Sequence, residues 1–496
     1  LKHHEELQKF YERIIDKTKG LETPFQKQGL IKDLYNKFFQ KIDSNLSAKL
    51  GIVYTPIEIV DFMIHSVDDL LYKEFGKRLT DEKVRVIDPF TGTGSYVVRL
   101  LQSGLIQPKD LERKYTKEIQ AREINLLAYY TADVNIESAY YERSKELKDY
   151  DNIILTDTFQ VEETDLAKQD LTIEKLSKSQ LSDNFKRIQL QRNSLLEVII
   201  GNPPYSISKT SFHPGLKKKS KETYGRFYES RMFIRNSYIK AFRWATDKLK
   251  EGVIAYITPS SWLIDNGGRG IRHHFEQEFH AVYVYDLKGE RRPSTHGFNG
   301  NSVFEIKSDV AITFLIKNPK RQAKANIYYA AIDEKIKKKE KLDIIKNTQS
   351  VINLDFKKIT PNAYDDWVDK REEFPGDWIQ VYKQKRDVGE QYFFITDSSG
   401  LQTGNDPKQV NFSLDYLLKN YRKEDVRPYC YRPFTKNYTH FGKDNYLKGA
   451  MEKFFPKKGF ENKVICISPM HLSGSFSILV SDNITDISIW GGGEEM

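Results

Sequence analysis

The chain has 496 residues, 39% of them hydrophobic, and carries 78 Lys and Arg against 69 Asp and Glu, a formal net charge of +9. That length exceeds one small domain and predicts two or three. No run of about 18 apolar residues is present, which excludes a spanning helix, and two cysteines, Cys430 and Cys466, exclude a disulfide framework and a four-thiolate zinc site.

Residues 1–50 place apolar side chains near i, i+3 and i+4 with charges between, which predicts a helical lead-in or coupler. The first residues show neither an initiator Met nor an apolar signal-type stretch, so the chain is expected to be an excerpt of a larger cytoplasmic polypeptide. From residue 51 apolar β-type runs appear at Val84–Ile87, Ile153–Leu155, Val198–Ile200, Val253–Ile257 and Val282–Tyr285. Helical stretches such as Ile124–Ile136 and Phe233–Leu249 separate them. This alternation predicts an α/β fold with a mostly parallel sheet covered on both faces. Residues 303–317 read as an antiparallel hairpin at the sheet's edge, turning at Lys307-Ser308-Asp309. The rhythm fades at 320–330, which sets expected domains of 51–325 and 326–496. The second opens on a charged helix candidate at 332–347, where Lys337–Lys341 reads as a solvated face. It continues as short, aromatic-rich strands and loops and ends abruptly on a glycine run, so it is expected to be α+β and incomplete.

Two motifs carry chemistry. In Val86-Ile87-Asp88-Pro89-Phe90-Thr91-Gly92-Thr93-Gly94-Ser95, a buried strand enters a glycine-rich turn at a helix N-terminus. Such a turn lets backbone N–H groups approach a ligand. It lacks the third glycine of a dinucleotide fingerprint and the Gly-Lys-Ser/Thr of a triphosphate loop. In Val198-Ile199-Ile200-Gly201-Asn202-Pro203-Pro204-Tyr205, a strand ends in an amide, two rigid prolines and an aromatic. An Asn carbonyl and a backbone carbonyl together accept both hydrogens of an exocyclic amine, and a Tyr face stacks on the base that bears it.

With these motifs the chain resembles the gamma-type S-adenosylmethionine-dependent DNA adenine-N6 methyltransferases. More closely, it resembles the methyltransferase and target-recognition part of single-polypeptide restriction–modification enzymes, Type ISP or Type IIG. Gly51-Ile52-Val53-Tyr54-Thr55-Pro56 is similar to the family's cofactor-side segment, and Tyr431-Arg432-Pro433-Phe434 to an element near the start of its recognition region. The resemblance implies a Rossmann-like class I methyltransferase domain with a mixed seven-stranded sheet. It implies S-adenosylmethionine as cofactor, held by Thr55, Asp88, Phe90, Gly92 and Gly94. Glu123 would take the ribose hydroxyls, with Glu118 as competitor. Asp157 would accept from the cofactor's adenine amine, and Phe159 would pack on that ring. Asn202 and the Pro203 carbonyl would accept the N6 hydrogens of a flipped-out adenine, Tyr205 would stack on it, and Phe298 or Phe304 would cover its other face.

Ser206–Arg226 carries Lys217, Lys218 and Lys219 among its cations and reads equally as a phosphate-facing segment or a solvated loop. Double-stranded DNA is the expected partner, and no metal is required. Nuclease and helicase-like regions of the parent polypeptide would lie upstream; neither is evident in this chain. Three alternatives stay open: a cytosine-N4 enzyme, an RNA or protein-amide methyltransferase, and a non-catalytic DNA-specificity module.

Overall fold

The computed structural model describes residues 55–161, 178–207, 213–289, 301–304, 308–321, 324–371, 396, 398–467 and 478–489. The expected lead-in, 1–50, lies outside them, as does the terminal glycine run. The chain divides into two compact units between Glu373 and Phe374.

The first unit is an open sheet with helices on both faces. After α1 (Ile57–Phe75), β1 (Val86–Asp88) leads into α2 (Ser95–Gln102), then β2 (Ile119–Glu123), α3 (Leu126–Ser144), β3 (Ile153–Leu155), α4 (Lys178–Asn193) and β4 (Val198–Gly201). There follow α5 (Pro214–Glu222), α6 (Ser237–Lys248), β5 (Gly252–Pro259), α7 (Arg269–Glu278), β6 (Ala281–Asp286), β7 (Val310–Lys317), β8 (Asn326–Ala331), α8 (Lys338–Thr348) and β9 (Lys357–Ile359). The strand order is β3-β2-β1-β4-β5-β7-β6-β8-β9. β1 to β5 pair in parallel, while β7 runs antiparallel to both β5 and β6. Alternate residues of one strand serve opposite cores. Val86, Val198 and Ile200 pack with α1, α2 and α3, and Ile87 and Ile199 pack with α6 and α7. Burial on both faces is why these runs are continuously apolar.

The structure corrects four expectations. The sheet has nine strands: the anticipated seven are extended by β8, parallel to β6, and β9, antiparallel to β8. Residues 326–359 therefore complete the first sheet, whereas the expected domain boundary fell at 325/326. β7 is an interior strand and not one arm of an edge hairpin, because its run Val310-Ala311-Ile312-Thr313-Phe314-Leu315-Ile316 is buried on both sides. The Lys337–Lys341 run is not wholly solvated: Lys341 is buried, and its ammonium donates to the Leu287 carbonyl at 2.8 Å.

A strap at 362–371 closes the unit. Arg272 on α7 is fully buried beneath it and donates to the carbonyls of Trp262, Asp265 and Asp365 and to the Asp366 carboxylate. The second unit contains a four-stranded sheet, β10 (Val410–Asn411), β12 (Asn437–His440), β11 (Val426–Cys430) and β15 (Ile484–Thr485) in spatial order, and a hairpin of β13 (Val464–Ile467) and β14 (Ile478–Ser481). Leu401, Tyr429, Phe441, Met451, Phe455 and Ile484 form its core. Among the described residues no helix is long and apolar enough to cross a membrane.

Candidate active site

The chain order reverses between β1 and β4: β2 and β3 step outward on one side, and the chain returns to place β4 on the other. Ligands of open α/β sheets sit at the carboxyl ends of strands at such a switch point. Asp88, Glu123 and Asn202 stand at the ends of β1, β2 and β4, and Asp157 lies just past β3.

Asp88 is 1% exposed. Its Oδ1 accepts from the Phe90 N–H at 3.1 Å, and the Thr91 hydroxyl donates to its carbonyl at 2.8 Å. Among the described residues Oδ2 meets no hydrogen-bond donor. Burial pushes the carboxyl up to about 8; the Phe90 N–H opposes this and Glu123 reinforces it. Gly92 and Gly94 lie in the left-handed region at φ 57° and 88°. A Cβ on Gly92 would meet nothing within 4 Å, so the loop's backbone stands open there, whereas one on Gly94 would come within 3.3 Å of Ala132 on α3. The Gly92 N–H donates to Glu123 Oε2 at 2.8 Å and the Asn125 N–H to Oε1 at 2.7 Å. Burial pushes Glu123 up to about 7, against three backbone N–H groups that hold it down. Glu118 sits at the other end of β2, bound by the Lys83 N–H and paired with Arg113 and Lys114. Of the two competing carboxylates, only Glu123 reaches the glycine loop.

Past β3, Asp157 Oδ1 accepts from the Phe159 N–H at 2.9 Å, and Oδ2 accepts from His213 Nε2 at 2.8 Å. The Phe159 ring meets Phe90 at 5.6 Å and His213 at 5.4 Å between centroids, edge to face in both cases. The motif readings missed His213, whose one sequence signal is that it precedes Pro214 at the start of the basic helix. That helix corrects the expectation of a loop: Lys217, Lys218 and Lys219 lie on α5, all exposed, with Lys219 paired to Asp247 at 3.1 Å. Pro214 supplies a preset φ at the first helical position. Lys240 on α6 is buried, and burial lowers its pKa; Lys217 adds to that and Asp157 opposes it.

At the end of β4, Gly201 has no room for a side chain: a Cβ would stand 2.7 Å from Asp88 Oδ1. The ends of β1 and β4 are thereby drawn together. The Asn202 amide donates from Nδ2 to Thr55 Oγ1 at 3.0 Å, which orients the amide and directs its oxygen to the opposite edge. Pro203 is buried. The Tyr205 hydroxyl donates to the Ile257 carbonyl at 3.2 Å. Its ring lies edge-on to Phe304 at 6.4 Å and Tyr238 at 6.5 Å. Phe304 is therefore beside Tyr205, and Phe298, the other candidate, lies outside the described residues. Among the described residues no group of three or more His, Cys, Asp and Glu is arranged to hold a metal ion.

In the second unit, the Tyr431 hydroxyl donates to Asp406 at 2.9 Å and Arg432 pairs with Asp486 at 3.3 Å. Phe434 is 92% exposed at φ 65° in the turn between β11 and β12.

Comparison with known proteins adds a family context. Residues 112–292 match the Eco57I restriction-modification methylase family, and residues 366–496 match the Type ISP C-terminal specificity domain. The ATP-dependent Type ISP restriction-modification enzyme LlaBIII bound to DNA is similar at 31% identity and a TM-score of 0.80, over 98% of this chain and 36% of that one. A DrdV–DNA complex is similar at 27% identity and 0.78, over 98% and 53%. A nuclease-deletion mutant of the Type ISP enzyme LlaGI with a DNA substrate mimic is similar at 27% and 0.78, over 99% and 44%. The chain thus spans between about a third and about a half of the length of these proteins. No curated protein sequence matches it.

Proposed function

The chain belongs to the Type ISP restriction–modification enzymes, as their methyltransferase and specificity segments, and from that premise we propose that it transfers a methyl group from S-adenosylmethionine to N6 of an adenine flipped out of duplex DNA. The observation that carries this reading is the oriented Asn202 amide at the end of β4, beside the Asp88–Gly94 loop and the Tyr205–Phe304 pair.

The residues fit the cofactor on their own geometry. The open backbone at Gly92 admits a ligand against the loop. The buried Asp88 oxygen lacking a donor suits a cationic or N–H-bearing tail, and Glu123 suits a pair of hydroxyls. Thr55 stands across from Asn202, where the cofactor's carboxylate end would come. Asp157 and Phe159 offer an acceptor and a ring face to its adenine. When bound, S-adenosylmethionine supplies the methyl group.

The protein's own part is positioning. Asn202 Oδ1 and the Pro203 carbonyl accept the two N6 hydrogens and stabilise the positive charge that develops on that nitrogen. Tyr205 would offer its ring face to the flipped base, and Phe304, buried edge-on to it, would support that ring. With the base fixed in line, proximity supplies most of the acceleration. The exposed Lys217, Lys218 and Lys219 suit phosphates beside the extruded nucleotide, and the 374–496 unit suits sequence readout. Asn202, in place of the Ser usual in cytosine-N4 enzymes, favours adenine.

The test is incubation of the protein with duplex DNA and methyl-labelled cofactor, followed by digestion to nucleosides. Label in N6-methyl-2′-deoxyadenosine is expected, and Asn202→Ala should lower the rate by at least about 100-fold with cofactor affinity unchanged. Label in cytosine, or full activity in Asn202→Ala, sinks the reading.

A further inference from the structure

We infer that His213 is a positioning residue for the adenine end of the cofactor: it fixes the Asp157 carboxylate so that the remaining acceptor lobe faces the 6-amino group. The inference rests on the reading of Asp157 given above and goes beyond it, because it brings a residue of the α5 segment into the cofactor site.

Three observations converge. The Asp157 carboxylate is held from both oxygens, by the Phe159 N–H on Oδ1 at 2.9 Å and by His213 Nε2 on Oδ2 at 2.8 Å. A carboxylate rotates freely when only one oxygen is bound, and two donors on opposite oxygens set its plane. Each oxygen keeps a second lone pair, so the bond from His213 leaves Asp157 able to accept from an amine. The imidazole also lies edge-on to Phe159 at 5.4 Å and 73°, so it bounds the ring on which adenine would pack. Finally, His213 is 13% exposed by its side chain and immediately precedes Pro214, whose ring restricts φ at the first residue of α5. Pro214 thus restricts the backbone from which the imidazole projects. From α6, Lys240 is the cation that senses the Asp157 carboxylate: burial and Lys217 lower its pKa, and Asp157 opposes them. Asp157 therefore has two directional donors, the Phe159 N–H and His213 Nε2, one on each oxygen.

This arrangement predicts a signature that a merely structural histidine would not give. Binding of S-adenosylhomocysteine and of its 6-oxo counterpart, S-inosylhomocysteine, is measured by calorimetry on the full chain. The two differ at one edge of the purine: the amino compound offers a 6-amino donor beside an N1 acceptor, and the 6-oxo compound offers a carbonyl acceptor beside an N1–H donor. The unaltered protein should prefer the amino compound. In His213→Ala that preference should fall by about tenfold, the worth of one hydrogen bond to a charged group, while affinity for the 6-oxo compound stays the same. His213→Gln, which offers an N–H of similar reach, should recover part of the preference. An equal loss for both ligands would mean general loosening and overturns the inference, as does an unchanged preference in His213→Ala. If the unaltered protein binds neither compound, the cofactor reading itself fails and takes the inference with it. If it binds both equally, Asp157 does not read the amine and the inference alone fails.

Discussion

Asp88 and Glu123 show how much a site can differ from the residues that compose it. Both are ordinary acids in the sequence, and both are buried at adjacent strand ends with burial as the dominant influence. Their protons are held in the folded protein to about 8 and about 7, whereas the unfolded chain releases them near 4. The folded state therefore binds more protons than the unfolded one between those limits. The stability this confers is full below about pH 4 and is lost as pH rises through about 7 to 8. Thermal unfolding followed from pH 5 to pH 9 should show the melting temperature falling toward the alkaline end, and Asp88→Asn should flatten the fall. An Asp88→Asn protein with the unaltered slope would remove Asp88 from this account. The residues that carry the motifs, Asp88, Gly92, Gly94 and Asn202, were legible from sequence because their types and spacing are unusual. His213 was not, since its bond to Asp157 spans 56 positions in the chain.

Among the elements, β1, β3, β4, β5 and β6 were legible as apolar runs, because a strand buried on both faces leaves no place for polar residues. The position of β7 was not, because an apolar run does not say which strands flank it. The strap at 362–371 was also invisible. Its ion pairs, Arg272 with Asp366 and Arg269 with Asp365, and the hydrogen bond of His273 with Asp365, join segments more than 90 residues apart. Arg272 is fully buried, and burial pulls its guanidinium down to about 10 despite Asp366. Without Arg272, Asp366 keeps Arg371, but the Trp262, Asp265 and Asp365 carbonyls lose their shared buried donor. Arg272→Ala should therefore destabilise the first unit by about 3–5 kcal/mol, at roughly 1–3 kcal/mol for each buried carbonyl left unsatisfied, read as a lower denaturant midpoint. A cost under about 1 kcal/mol, the range of exposed pairs, would show that the strap is held by other interactions. Trp367, buried against Trp262 with their ring centroids 5.7 Å apart, is the residue that would then carry it.

Over the whole molecule the charge is uneven. Residues 374–496 hold 16 Lys and Arg against 15 Asp and Glu, a balance of +1, so +8 of the +9 belongs to the first unit. Specificity and electrostatic attraction are separable tasks, since base edges are read by geometry and phosphates by charge. The proposal that α5 meets phosphate then has a salt signature. Replacing Lys217, Lys218 and Lys219 together by Ala should weaken DNA binding and reduce the slope of log affinity against log salt by up to about 3, near 0.9 for each phosphate no longer neutralised. An unchanged slope would assign the three lysines to the solvated face that their exposure also permits.

By itself the sequence determined the class of sheet, the glycine loop, the amide-bearing turn and the family they resemble, because each is a local pattern of residue type along one stretch of chain. Only the tertiary structure decided that the sheet runs to nine strands, that β7 lies inside it, that Glu123 and not Glu118 faces the glycine loop, that Phe304 stands by Tyr205, and that His213 reaches Asp157. Those outcomes depend on which strand ends meet, and strand pairing is set by the packing of both apolar faces at once, which no single stretch of chain contains.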